Sequence, residues 1–135
     1  MKSRLAVRDL FFHEVFHLNE GDRDDWSRRM LGPIVDKIVA KCGVSRVCLK
    51  PYAPHSLTVR GGTYYAFQPN NGDMAREYAA ELAKRYLIEQ GHALRNEVYP
   101  GGWFKCALSE NARAMALLAD EFFAGFDATP SCKTK

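Results

Sequence analysis

The string His13-Glu14-Val15-Phe16-His17 has the residue types and the spacing to do chemistry. On a helix, residues four apart share a face. Two imidazoles so placed can hold one zinc ion while the intervening carboxylate takes a proton from metal-bound water. In that reading His13 and His17 are ligands and Glu14 is the general base of a zinc-dependent hydrolase. The competing reading is a solvated helix face. Asp9, His13, His17 and Glu20 fall together on a helix, opposite Phe11, Val15 and Leu18.

The string resembles the HExxH signature of zinc-dependent peptidases, and the resemblance covers those five residues. It implies the ligand and base roles just given, and it needs a third ligand. Glu20, Asp22, Asp24 and Asp25 are the nearby carboxylates, and none stands at a family spacing. Neither a metal nor another cofactor is therefore expected. The chain has no GxSxG elbow, no Walker loop and no GxGxxG. Cys42, Cys48, Cys106 and Cys132 form no CxxC pair, which gives neither a zinc ribbon nor a thioredoxin-type motif. With no secretory leader legible, all four thiols are expected to be reduced in a cytoplasmic setting. Cys48 and Cys106 then read as small packing residues on strands.

The second set of chemistry-bearing residues is a sheet face. Gly61-Gly62 and Gly101-Gly102 each separate two β-prone runs, the signal of a two-residue hairpin. Counting outward from the first turn pairs Arg60 with Thr63, Val59 with Tyr64 and Leu57 with Ala66. Leu57, Val59, Tyr64 and Ala66 then face the core. The second hairpin, Arg95–Tyr99 against Trp103–Leu108, sends Tyr99, Phe104 and Cys106 inward. A further strand over 44–50 turns Val47 and Leu49 inward. The opposite face gathers Arg46, Lys50, Arg60, Tyr65, Phe67, Trp103 and Lys105. Aromatic rings stack on bases while Arg and Lys neutralise phosphate, and Trp, Tyr and Arg are preferred anchors of protein interfaces. If a helix covers this face, the same aromatics are core.

Helices must frame such a sheet. Trp26, Met30, Ile34, Ile38 and Cys42 recur at helical spacing over 24–42, with an end at Gly43 and, at Gly32-Pro33, either a kink or a break into two short helices with Pro33 near the start of the second. Asn70 to Asp73 supply caps for a helix reaching about Gln90, with Gly91 as its stop. Ser109 opens a last helix with Ala112, Met115, Ala119, Phe122 and Phe126 inward. Residues 3–18 fit a helix slightly better than a strand. Each Gly-Gly pair leads into an Ala-rich helix, the pattern of a candidate internal repeat.

The order α-β-β-β-α over 26–90, with Pro54-His55 in a loop and an Ala-rich closing helix, resembles a double-stranded-RNA-binding domain. That resemblance implies a loop histidine in the minor groove and lysines at the helix start on phosphates. Here the helix starts at Gly72-Asp73, without a lysine cluster.

The 135 residues are 47% hydrophobic and 26% charged, enough apolar side chain for one core and too little charge for disorder. A net charge of +3 permits an acidic partner without demanding one. The apolar run Leu10 to Leu18 is short and carries His13, Glu14 and His17, which excludes a membrane span there. The expected architecture is α+β: an antiparallel sheet of two Gly-Gly hairpins plus one further strand, packed by three or four helices. Residues 1–126 form the domain and 127–135 a loose tail. The expected function is a small, non-catalytic cytosolic interaction module (adaptor, inhibitor or immunity-type protein) that binds a protein partner. Nucleic-acid binding through the aromatic and basic face, or zinc-dependent hydrolysis through His13, Glu14 and His17, are the alternatives.

Overall fold

A computed structural model of the chain describes residues 25–55, 57, 59–60, 63–67 and 74–132. The HExxH string, Ser3 to Leu18 as a whole, and the Gly61-Gly62 turn itself lie outside them. The described residues are mostly helical, which overturns the expected α+β fold with its antiparallel sheet of two Gly-Gly hairpins and a further strand. A π-helical turn (Ser27–Leu31) leads into α1 (Gly32–Cys42). The short helix α2 (Arg46–Leu49) and a 3-10 turn (Lys50–Tyr52) follow. Next come β1 (Val59–Arg60), β2 (Thr63–Tyr64) and a 3-10 turn (Tyr65–Phe67). The long helix α3 (Met74–Leu94), a 3-10 turn (Phe104–Cys106) and α4 (Ser109–Phe122) complete the order. The only sheet among the described residues is the two-stranded β1–β2 ladder.

The first helical region follows its sequence signals with one shift of phase. Pro33 lacks an N–H and its ring crowds the turn before it. The preceding turn widens, so the Gly32 N–H reaches back to Ser27 O. The widened turn takes up an extra residue. Burial therefore passes from Trp26 to Leu31, then to Ile34, Val35, Ile38 and Cys42, and leaves Met30 outside. Gly43 ends α1 at φ 59°, a backbone angle that costs glycine little.

The expected strand over 44–50 is helical instead. Ser45 takes an extended conformation and its hydroxyl accepts from the Cys48 N–H, capping α2. Two β-branched valines give only a weak strand preference, and a cap together with Pro51 outweighs it. Leu49 is buried and Val47 stands in solvent. The turn also brings Cys48 back to Cys42, and the two are disulfide-bonded.

The two Gly-Gly segments part company. The first gives the expected register, Val59 opposite Tyr64 and Arg60 opposite Thr63. It ends there, because residues 65–67 coil before Leu57 and Ala66 can pair. The inward face does not persist either: Tyr64 and Ala66 are buried while Leu57 is 51% exposed. The second segment forms no hairpin. Gly101 and Gly102 do take positive φ. Pro100 brings no N–H to a ladder, and side chains claim the backbone beyond the turn. Glu89 accepts from the Phe104 N–H at 2.8 Å, and Asn111 donates to the Phe104 carbonyl at 3.3 Å. With both groups satisfied by helices, no strand partner is needed. The two segments are unlike, so the candidate repeat does not extend to their structure.

Helix α3 lies at the centre, with Tyr78, Ala79, Ala80, Leu82 and Ala83 fully buried. Its alanines let α1, α4 and the π-helical turn come close. It runs through Gly91 and stops where Asn96 adopts φ 57°. The Glu97 N–H then bonds the His92 carbonyl and the Asn96 N–H the Ala93 carbonyl. This is a Schellman ending in which asparagine stands in for glycine. On α4 the buried positions are Asn111, Ala114, Met115, Leu118 and Ala119, so Ala112 is only half-buried, while Phe126 lies beyond the helix end at Phe122 and is exposed.

After α4 the chain doubles back and is held. Tyr86 donates to the Phe126 carbonyl, Gln90 brackets Asp127 and Ala128, and Cys132 is disulfide-bonded to Cys106. The expected loose tail is thus tied down as far as Cys132. No cysteine is free, against the reduced thiols expected from sequence. The spacing hid the pairs because turns, not sequence distance, bring the sulfurs together. No helix among the described residues is long and apolar enough to cross a membrane.

Candidate binding cleft

A cleft of about 460 Å³ opens between the Lys50–His55 segment and the Tyr99–Ala107 segment, with α3 beneath. Its floor is braced by Arg85. From α3 the guanidinium donates to Glu89 at 2.7 Å, to the Pro54 carbonyl at 3.0 Å and to the Gly102 carbonyl at 3.3 Å. It lies 4.2 Å over the Tyr99 ring and 5.2 Å from the Phe104 ring. One side chain therefore fixes both walls to the helix, and Glu89 fixes the base of one wall again through the Phe104 N–H. Asn111 adds a third tie, donating to the Pro51 carbonyl at 2.9 Å. The walls carry half-buried Trp103 and Tyr99, exposed Leu57 and exposed Lys50.

The seven residues read as one sheet face do not share a surface here. Lys50 and Trp103 line the cleft together. Arg46 is exposed on α2 but is absent from the cleft lining. Phe67 is core, 1% exposed, and packs on Tyr78 with ring centroids 5.9 Å apart. Lys105 belongs to a different cavity. Arg60 occupies β1 opposite Thr63 and Tyr65 opens the turn after β2. His13, Glu14 and His17 lie outside the described residues. Among those described, no group of three or more His, Cys, Asp or Glu side chains is placed to hold a metal. Arg85 and Tyr99 were missed by the sequence reading. The legible signal for Arg85 was its spacing of four from Glu89, which pairs opposite charges on one helix face.

The second cavity, about 240 Å³, lies under the returning tail and is lined by Glu89, Gln90, Lys105, Met115, Asp127 and Thr129 among others. Four of its polar side chains, Lys105, Asp127, Gln90 and Thr129, form one network. Lys105 meets Asp127 at 2.8 Å, and the same carboxylate accepts from Gln90 and from both the N–H and the hydroxyl of Thr129. Burial pushes the Asp127 carboxyl up, but the hydrogen bonds from Lys105, Thr129 and Gln90 outweigh it and bring its pKa to about 2. Burial, then the Asp127 charge, push the Tyr86 hydroxyl up, so it stays a donor to Phe126.

Comparison with protein-family models, with curated proteins and with solved structures finds no match.

Proposed function

We propose that this chain is a small, non-catalytic binding protein that takes a segment of a protein partner into the Trp103 cleft. The observation that carries this reading is a preformed concave surface with Trp103, Tyr99 and Leu57 on its walls and a cross-braced arginine at its floor. Half-buried Trp and Tyr supply large contact area at small entropic cost and are enriched among interface anchors. Walls held by Arg85, Glu89 and Asn111 lose little freedom on binding. Two disulfides favour an oxidising compartment over the cytoplasm for this activity.

The test is selection of a displayed random peptide library on the oxidised full chain, followed by titration of the winners. Trp103→Ala is expected to weaken them roughly 30-fold, the scale of an interface hot spot, with the melting temperature shifted by only a few degrees. Winners that bind Trp103→Ala as well as the parent would place the binding surface elsewhere and overturn the reading.

A further inference from the structure

We infer that the segment bound in this cleft is acidic: a peptide stretch with an Asp or Glu side chain, or a terminal carboxylate, beside an apolar or aromatic anchor. The inference rests on the binding role proposed above and adds the chemistry of the partner. Among the described residues that line the cleft there is no Asp or Glu, whereas Lys50 and Arg85 are both present. Arg85 is balanced by Glu89 beneath it, so the uncompensated charge belongs to Lys50. Lys50 is exposed and makes no ion pair among the described residues. Arg85 contributes direction rather than net charge. Its contacts use one N–H on each of its nitrogens, and each terminal nitrogen carries a second. A planar carboxylate suits such a fork, and charge-assisted bonds of this kind are the stronger ones.

The surroundings favour a peptide over a nucleic acid. A nucleic-acid backbone asks for a track of cations along the strand. Among the described residues the lining offers a single uncompensated lysine, Arg46 lies outside it, and the other lining residues include His55, Trp103, Tyr99, Leu57, Pro51 and Pro100. That combination fits a short apolar anchor flanked by one or two acids.

The experiment uses the oxidised full chain and the library winners, read by fluorescence anisotropy. Each winner is compared with its twin in which every Asp and Glu is replaced by Asn and Gln, and with an oligothymidylate. The expected result is enrichment of acidic residues, at least roughly tenfold weaker binding of the amide twin, and a similar loss in Lys50→Glu. Lys50→Glu changes an exposed residue outside the core and serves as the variant that folds. Winners that depend on Trp103 but bind equally as amide twins, and equally to Lys50→Glu, would refute the acidic partner and leave the cleft reading standing. Winners indifferent to Trp103 would sink both. Oligothymidylate binding tighter than any peptide, and falling steeply with salt, would overturn the inference in favour of nucleic acid.

Discussion

The cleft and the cavity under the tail are built from neighbouring turns of α3, and they treat charge in opposite ways. In the cavity Lys105, Asp127, Gln90 and Thr129 satisfy one another, and the result is a fastening. In the cleft the half-buried Arg85 is also fastened, to Glu89 and over the Tyr99 ring, yet Lys50 is exposed and Trp103 only half-buried. Size does not separate the two as well as the state of their polar groups does. A concave surface whose donors and acceptors are already paired holds the fold together. One that keeps a cation and the Trp103 ring outward is the kind of surface the proposed binding role needs.

Glu89 joins the two regions, because it lines the cavity and holds both Arg85 and the Phe104 N–H of the cleft. Removing it should break both at once. Glu89→Ala leaves a largely buried guanidinium and a buried amide without their acceptor, and is expected to cost about 3–5 kcal/mol. Chemical denaturation should report this as a large fall in midpoint, and Glu89→Gln, which keeps one acceptor oxygen, as a smaller one. A loss below about 1 kcal/mol would mean that the brace does little.

The disulfides come next. Cys106 and Cys132 are 26 residues apart, Cys42 and Cys48 only six. The longer loop restrains the unfolded chain more, by about 3.5 kcal/mol against about 2. Cys106→Ser with Cys132→Ser should therefore lower the melting temperature more than Cys42→Ser with Cys48→Ser. It should also free the tail from the cavity while library peptides still bind the cleft. Equal losses from the two pairs would show that the contacts of the tail, not the closed loop, set the difference.

The smallest effect is the most selective. The Asp127 pKa lies below its unfolded value of about 3.9, so its contribution is fully present above that pH and is lost as pH falls toward 2. Acid titration of stability should show a decline between about pH 4 and pH 2 that Asp127→Asn flattens, with amide exchange rising first in residues 127–132. An unchanged profile in Asp127→Asn would move the acid sensitivity to another carboxylate.

How much of this the sequence disclosed depended on how local each signal was. The helix break at Gly32-Pro33, the stop at Gly43 and the pairing of Val59 with Tyr64 are settled by neighbours in the chain, and all were legible. The second Gly-Gly turn carried the same local signal but failed as a hairpin, because Glu89 and Asn111 reach Phe104 from distant helices. The strand expected over 44–50 lost to the Ser45 cap and the Pro51 turn that follows. Phe67, counted onto an outer face, is core because the β1–β2 ladder ends at Tyr64 and the turn over 65–67 packs it on Tyr78 of α3. Lys50 and Trp103 were named as binding residues, although from a strand alternation that does not occur. Arg85 and Tyr99 escaped because only the folded chain brings α3 under the loop that carries Tyr99.

The bond between Cys106 and Cys132 has a topological consequence. It makes a covalent ring of the segment between them, and the whole of α4 lies inside that ring. A protease that cuts once within it, for example after exposed Arg113, opens the ring without dividing the molecule. The nicked protein keeps its mass apart from one added water, and its fragments part on a denaturing gel only after a thiol is added.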